Sequence, residues 1–141
     1  MKFYIANDHA GIELKKTLAQ SLHTMGHDVL DLGCNNENSV DYPDFAAKLC
    51  QEVLKDSGSF GLLICGSGIG MSIAANRFNG IRAALCSDPY SAAMSRKHND
   101  ANVLCLGARI IGIDMAQNIL QNFCQAQFEG GRHLQRIKKM Q

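Results

Sequence analysis

The sequence contains 141 residues, the usual size of one domain, and 46% of them are hydrophobic while 19% are charged. This composition supplies enough apolar side chains for a sizeable core, which excludes a disordered chain. Lys and Arg number 14 against 13 Asp and Glu, so the net charge of +1 lacks the basic excess typical of nucleic-acid-binding and membrane-surface proteins. We therefore expect one compact domain over residues 1–141.

The N-terminal residues and the cysteines indicate a cytoplasmic protein. The apolar segment 3–6 is followed at once by polar residues, so it is too short for a signal peptide. No apolar run approaches the roughly 20 residues of a membrane helix. The six cysteines are widely spaced, with no CxxC motif and no close Cys/His cluster. We interpret all of them except Cys65 as small buried apolar residues in a reducing compartment.

Short apolar runs alternate with helical patterns from one end of the chain to the other. The first half is predicted to form, in order, a strand at 2–6, a helix at 11–26, a strand at 28–33, a polar loop at 34–41 and a helix at 44–56. The second half is predicted to form a strand at 60–65, a glycine-rich turn at 66–70, a helix at 71–78, a strand at 81–86, a helix at 87–98, a strand at 103–107, a helix at 112–128 and a short basic helix at 132–140.

Strands that alternate with helices are typical of parallel sheets whose crossover helices cover both faces. The predicted fold is therefore a Rossmann-like three-layer α/β/α sandwich with a five-stranded parallel sheet. In such folds, ligands bind at the carboxyl ends of the strands. Three of the predicted strands are followed by polar or glycine-rich motifs, which we expect at one functional edge: NDHAG at 7–11, GSGIG at 66–70 and SDPY at 87–90.

The sharpest motif is the glycine-rich turn, with Cys65 immediately before it. Gly66, Gly68 and Gly70 allow a ligand to approach the backbone closely, and amide groups that converge at a helix start can hold an anion or an oxyanion. The spacing matches neither the dinucleotide-binding GxGxxG motif nor a Walker P-loop. A thiol at this helix start can act as a thiolate base. The alternatives are a tight turn without a ligand and a structural cysteine.

Several titratable or cationic side chains are candidates for the same site. Asp8 and His9 follow the first strand, where they can handle a hydroxyl proton or contact an anion, although Asp8 can equally cap a helix. Arg132 and Arg136 are four residues apart, so both guanidinium groups can face one phosphate; the alternative is a solvated terminal helix. Arg109 either binds phosphate or pairs with an acidic neighbour.

Five segments occur in order along nearly the whole chain: NDHAG at 7–11, VDYPDFA at 40–46, ICGSGIGMSIAANR at 64–77, KHNDANVLCLGAR at 97–109 and GGRHLQRI at 130–137. Together they resemble the type B ribose-5-phosphate isomerases, a family that also includes the allose- and galactose-6-phosphate isomerases. The joint occurrence of five motifs is far more specific than any one of them.

The resemblance implies interconversion of ribose 5-phosphate and ribulose 5-phosphate through an enediolate, a step of the non-oxidative pentose phosphate pathway, with no metal or organic cofactor. It makes Cys65 the base that moves a proton between C1 and C2, and Ser67 a hydroxyl that bonds the reacting oxygens. Some relatives carry a glutamate base just after the glycine loop, but Met71 stands there in this chain and cannot titrate. The turn residues implied to hold the enediolate charge are Gly66, Gly68, Ile69 and Gly70.

The resemblance also implies roles for residues outside the turn. His98, with Asp8 nearby, opens the sugar ring, and Asn99 contacts a substrate hydroxyl. Tyr42 belongs to the substrate-side YPD segment. The implied phosphate-binding set is His9, Arg109, Arg132 and Arg136. Members of the family share each active site between two subunits, so we expect a homodimer, or a tetramer built from such dimers.

Two alternative functions remain open. The first is a hexose 6-phosphate isomerase, specific for allose or galactose, on the same scaffold. The second is a non-catalytic phosphate-binding regulator, which the candidate acid/base residues disfavour because binding alone does not require them. In each case the expected partner is a small phosphorylated molecule, with no nucleic acid and no membrane.

Overall fold

The computed structural model describes residues 1–141, and strands and helices alternate along them. The strands are β1 Lys2–Asn7, β2 Asp28–Asp31, β3 Phe60–Cys65, β4 Ala83–Leu85 and β5 Val103–Gly107. The helices are α1 Ile12–Thr24, α2 Tyr42–Lys55, α3 Ile69–Ala75, α4 Pro89–Asn99, α5 Ile113–Gln125 and α6 Arg132–Lys139. A single 3₁₀ turn, His9–Gly11, precedes α1 and was not expected from the sequence.

The strands β3 and β5 have the predicted bounds, and the largest differences concern the edges of the sheet. β4 is shorter than the predicted strand at 81–86 because the amide of Ile81 bonds back to Phe78 in a turn and the amide of Arg82 bonds to the Asn102 side chain. β2 ends at Asp31, whose carboxylate accepts a hydrogen bond from the amide of Gly33 and turns the chain away. The third helix begins at Ile69, inside the predicted turn.

All five strands are parallel, in the order β2-β1-β3-β5-β4. The predicted Rossmann-like three-layer α/β/α sandwich is therefore confirmed. The chain runs outwards in opposite directions from β1 and β3, so the topological switch point of the sheet lies between these two strands. Register places Ile64 beside Asn7 and Cys65 beside Gly107, which brings the ends of β1, β3 and β5 to one edge.

Two apolar clusters cover the two faces of the sheet. On one face α1, α4 and α5 pack against β3 through side chains such as Leu18, Phe123 and Leu62. On the other face α2 and α3 pack through side chains such as Leu49 and Met71. Because both faces are covered, the strands β3 and β5 are apolar throughout, as buried parallel strands usually are. This packing leaves the ends of the strands as the open part of the sheet.

All six cysteines are free thiols. Cys34, Cys50, Cys86 and Cys105 are buried, as predicted, but Cys124 is only half-buried, at the border of the core on α5. A membrane-spanning helix is not found among α1–α6, since none combines the required length with an apolar sequence.

Candidate active site

The glycine-rich turn folds back over the end of β3. Gly68 adopts a φ of +78°, in the left-handed region where glycine is favoured. A Cβ at this position would lie 2.8 Å from the carbonyl carbon of Leu106 and 3.0 Å from the amide nitrogen of Gly107. The turn therefore needs glycine both for its conformation and for its close approach to β5.

Cys65 lies at the last position of β3, below this turn, and its Sγ accepts a hydrogen bond from the amide of Gly68 at 3.1 Å. It is the only cysteine that lines the cleft at this edge of the sheet. Burial raises the pKa of Cys50 to about 12 and that of Cys86 to about 11, so these thiols are protonated at neutral pH. Burial likewise raises the pKa of Cys105 well above its usual range. Cys65 differs from the other cysteines in combining a position in the cleft wall with a hydrogen bond from the glycine-rich turn.

The cleft above Cys65 is open and has a volume of about 610 Å³. Its walls come from the ends of β1 and β3, the start of α2 and the residues after β5. The Arg109 side chain lies over Gly66, where a Cβ would be 3.3 Å from its Nη1, and the Tyr42 ring lies against Gly70. The lining residues are Asp8, Tyr42, Cys65, Gly66, Ser67, Ile69, Gly70, Ile73, Arg109 and Ile110.

The amide groups of the turn divide into two sets. The amides of Gly68 and Ile69 are already engaged, with Cys65 Sγ at 3.1 Å and Ser67 Oγ at 3.2 Å. The amides of Gly66, Ser67 and Gly70 have no hydrogen-bond partner within the chain. Free amides at a helix start are donors for an anion. Within the turn, only the amides of Gly66, Ser67 and Gly70 are therefore available to bind an anion.

Asp8 and His9 occupy the neighbouring strand end. The Asp8 carboxylate accepts a hydrogen bond from the amide of Ala10 at 2.9 Å, so it caps the 3₁₀ turn and also lines the cleft. His9 Nδ1 accepts a hydrogen bond from the amide of Val40 at 3.3 Å. That contact holds the polar loop at 34–41 beside the site, directly before Tyr42.

A buried lysine supports the same loop and was missed by the sequence analysis. Lys15 Nζ donates to the Cys34 carbonyl at 2.8 Å and to Asn35 Oδ1 at 2.5 Å, and it pairs with Asp31 at 3.0 Å. Lysine is rarely buried unless its charge is paired in this way. Nothing in the spacing along α1 distinguishes Lys15 from an exposed lysine, because its acceptors lie in a distant loop.

The other predicted residues form a second group at the opposite, amino edge of the sheet. α4 runs back from the carboxyl edge, so His98 and Asn99, in its last turn, lie near the start of β4. The Asn99 carbonyl accepts a hydrogen bond at 3.0 Å from Arg82, which immediately precedes that strand. Arg132 and Arg136 are on α6, whose His133 ring stacks on the His98 ring at 4.3 Å.

The expectation that Asp8 lies near His98 is therefore wrong within one chain. β3 has six residues, and strands rise about 3.3 Å per residue, so the two edges of the sheet are on the order of 20 Å apart. A crossover helix returns antiparallel to the strands, which places its end far from the carboxyl edge.

The second group contains two residues that the sequence analysis did not assign. Glu129 Oε1 lies 3.8 Å from His98 Nε2 and 3.6 Å from His133 Nε2. Partial burial, the His98 ring and the nearby Arg132 lower the pKa of His133, so its neutral form is favoured at pH 7. His133 belongs to the segment GGRHLQRI, and only its proximity to His98, which the sequence does not show, distinguishes it from a surface histidine.

The arginines divide into paired and unpaired residues. Arg82 and Arg96 pair with Asp100 at 3.3 and 2.8 Å, in a structural cluster. Arg77, Arg109, Arg132 and Arg136 are exposed, and no carboxylate lies within ion-pair distance of them. Of these four, Arg109 lines the cleft above Cys65. The alternative that Arg109 pairs with an acidic neighbour is not found. Unpaired guanidinium groups are suited to an anionic ligand.

A second cleft, of about 640 Å³, lies between α1 and α5. It is similar in volume to the cleft above Cys65, so the two must be compared as candidate active sites by the chemistry of their lining residues. All of its lining residues except Met25 have polar side chains, and none is a cysteine, histidine or carboxylate: Lys16, Thr17, Gln20, Ser21, Thr24, Met25, Gln117 and Gln121. Because acid/base chemistry requires side chains that can release and accept a proton, the cleft that contains Cys65 and Asp8 is the better candidate active site.

Comparisons with known proteins identify relatives of the chain. The family model described as Ribose/Galactose Isomerase matches residues 3–140. Ribose-5-phosphate isomerase B of Escherichia coli (strain K12) is 46% identical over 131 residues, which are 93% of this chain and 88% of that protein. The structure of ribose-5-phosphate isomerase B from Clostridium thermocellum matches with a TM-score of 0.97 and 47% identity, over 99% of this chain and 95% of that one. The structure of ribose-5-phosphate isomerase B from Mycoplasma genitalium with bound ribulose-5-phosphate matches with a TM-score of 0.95 and 43% identity, over 99% of this chain and 93% of that one.

Proposed function

The chain belongs to the ribose/galactose isomerase family, and from this premise we propose that it interconverts D-ribose 5-phosphate and D-ribulose 5-phosphate. One observation carries the proposal: the buried Cys65 thiol lines a cleft that also presents free backbone amides and the unpaired Arg109. A base, an oxyanion-stabilising backbone and a phosphate-binding cation are the groups that aldose–ketose isomerisation of a sugar phosphate requires.

Cys65 is the base in this mechanism. In the open-chain aldose, the thiolate removes the proton on C2, next to the C1 carbonyl, and electrons shift to give an enediolate. Transfer of the hydroxyl proton from O2 to O1, together with return of the carbon proton to C1, gives the ketose. The Ser67 hydroxyl and the amides of Gly66, Ser67 and Gly70 are available to bond the two reacting oxygens, where the negative charge develops.

Ring opening and part of the phosphate binding require the second group of residues. A closed-ring sugar phosphate has no free carbonyl, so an acid/base group must first move a proton from the anomeric hydroxyl to the ring oxygen. We assign this step to His98, hydroxyl binding to Asn99, and phosphate binding to His9, Arg109, Arg132 and Arg136. Phosphate binding far from the reacting carbons contributes positioning energy.

Because the second group lies on the order of 20 Å from Cys65 in one chain, we propose that a second copy supplies it. The rim of the cleft supports this arrangement: Ile69, Ile73 and Ile110 are 53%, 60% and 63% exposed. Apolar side chains that cluster on a surface usually mark an interface, and two-fold symmetry would complete two equivalent sites at once. The assembly is a homodimer or a tetramer built from such dimers.

Turnover of the purified protein with ribose 5-phosphate, in the presence of a chelator, tests the proposed activity. Allose 6-phosphate and galactose 6-phosphate serve as competing substrates. We expect the highest kcat/KM with ribose 5-phosphate. A preference for a hexose phosphate would contradict the substrate assignment. Folded protein without turnover on any of the three would contradict the enzyme assignment and favour a phosphate-binding regulator.

A further inference from the structure

Three side chains at the amino edge of the sheet bring ligand atoms together outside the cleft above Cys65. They are His98 in the last turn of α4, Glu129 in the segment between α5 and α6, and His133 in the first turn of α6. One ligand atom from each lies within 4.8 Å of the other two. None of these side chains makes a hydrogen bond within the chain, since Glu129 Oε1 is 3.8 and 3.6 Å from the two Nε2 atoms.

The backbone fixes the positions of these groups. The amide of Glu129 donates to the Lys97 carbonyl at 3.0 Å, which ties the connecting segment to the end of α4. Gly130 and Gly131 then adopt φ values of +67° and +57° and turn the chain into α6. The two glycines thereby place His133 over His98. The end of α4, the segment at Glu129 and the start of α6 thus hold the three side chains together.

We propose that His98, Glu129 and His133 bind a divalent transition-metal ion of the zinc class, with water in the fourth position, and that occupancy inhibits the isomerase. Two imidazoles and one carboxylate are a donor set found in zinc sites with an open position. Zinc bonds of about 2.0–2.2 Å place tetrahedral donors about 3.3–3.6 Å apart, close to the two separations involving Glu129.

Binding requires one movement. The imidazole planes are nearly parallel, at 12°, and lone pairs in parallel rings do not converge on a single ion. The His98 side chain is 40% exposed, whereas that of His133 is 9% exposed. His98 is therefore free to pivot towards an ion held by Glu129 and the fixed His133.

The class of ion follows from the donor atoms and from the surrounding charges. Arg132 lies next to His133 in the chain and Arg136 is one turn further along α6, and both are positively charged. Only the Glu129 carboxylate offsets them at the site. Mg²⁺ and Ca²⁺ bind through several oxygen ligands and gain little from imidazole, so they are not expected here. Zn²⁺, Co²⁺ and Ni²⁺ gain their affinity from the two imidazoles.

Inhibition rests on the proposed function, because it uses the role assigned to His98. A metal on Nε2 occupies the lone pair that ring opening needs. Inhibition is therefore expected to be strongest with substrate supplied as the closed ring. The structural part of the proposal, the metal site, does not depend on that role and is measured separately.

Calorimetric titration of the chelator-stripped protein with ZnCl₂ tests the site. We expect one ion per chain, binding at least about tenfold weaker in Glu129→Gln, and no heat from MgCl₂ under the same conditions. His23→Gln, on the exposed end of α1, is the matched control and is expected to bind like wild type. Cys65→Ser is expected to retain binding, because no thiol is involved. Absence of binding, or binding lost in Cys65→Ser and kept in Glu129→Gln, would overturn the proposal.

The isomerase assay then tests inhibition. Zn²⁺ is expected to lower wild-type turnover, a chelator to restore it, and Glu129→Gln to need at least about tenfold more Zn²⁺ for the same fractional loss. Equal sensitivity of the two proteins would contradict inhibition through this cluster. A protein that binds Zn²⁺ as expected but is inactive in chelator would contradict the proposed function while leaving the metal site supported.

Discussion

The two edges of the sheet carry functional groups that are built in different ways. At the carboxyl edge, Cys65 and Asp8 sit at the ends of adjacent strands, and a hydrogen bond from Gly68 holds the sulfur. At the amino edge, His98 and His133 lie at helix ends, and their ring nitrogens have no hydrogen-bond partner. One chain therefore builds a complete cleft at the first edge and only a set of unpartnered side chains at the second. This difference supports the proposal that the second group completes the site of another copy.

The largest expected effect comes from the first edge. Cys65→Ala removes the proposed base, so kcat with ribose 5-phosphate is expected to fall by about 10²–10⁴-fold. The fold should persist, because the substitution removes one sulfur from a cleft wall. Cys124→Ala, which alters a half-buried thiol on α5, is the matched control and is expected to keep its kcat. A Cys65→Ala enzyme with nearly wild-type kcat would show that another group is the base.

The arginines of the second edge are expected to act mainly through substrate binding. Arg132→Ala and Arg136→Ala each remove a proposed charge-assisted phosphate contact, and kcat/KM should fall by about 10–100-fold, chiefly through KM. Lys139→Ala, at the end of the same helix, controls for the loss of a positive charge alone. If both arginine variants keep the wild-type kcat/KM, α6 is simply a solvated helix.

The glycine turn tests how far the first edge depends on its backbone. Gly68→Ala forces a side chain into the left-handed region and against β5, so it should destabilise the fold by about 1–3 kcal/mol and also lower kcat. Gly112→Ala is the control, because a Cβ there meets nothing within 4 Å. Denaturant unfolding measures both variants. Equal stability of the two would contradict the strain assigned to Gly68.

The smallest expected effect is on the stability of α4, the helix that runs from the carboxyl edge to the amino edge of the sheet. Asp88 caps α4, and hydrogen bonds from the amide and hydroxyl of Ser91, each at 2.7 Å, lower its pKa. A depressed folded pKa gives stability that is present above the unfolded pKa of about 3.9 and is lost as the pH falls through the folded pKa.

Asp88→Asn keeps a capping oxygen but removes this titration. The Tm of wild type should exceed that of the variant at neutral pH, and the two curves should converge in acid. Asp114→Asn, at an exposed carboxylate of α5 without a side-chain hydrogen bond, is the matched control for the loss of one negative charge. Parallel wild-type and Asp88→Asn curves down to acid pH would contradict the role of the cap.

Much of the first edge was predictable, since it depends on local signals. The apolar run ending at Cys65 and the glycines after it define a strand end and a turn, and the rule for parallel sheets brings the end of β1 to the same edge. The strand order was not predictable. Hydrophobic periodicity defines strands but not their neighbours, and β5 lies between β3 and β4.

The second edge shows where the sequence analysis was incomplete. The direction of α4 follows from the alternation of strands and helices, so the separation of His98 from Asp8 could have been inferred from the predicted elements. The roles of Lys15, Glu129 and His133 could not. Each depends on partners from distant segments, and their residue types are usually exposed on a helix surface.

Mixing two inactive variants tests the central claim most directly. Cys65→Ala and His98→Asn are unfolded together, refolded and assayed with ribose 5-phosphate, with each variant refolded alone as the control. If Cys65 of one copy acts with His98 of another, activity should return to about a quarter of wild type, because half of the dimers are mixed and each mixed dimer holds one intact site. If both residues act within one chain, every site lacks a group, and the mixture will remain as inactive as its components.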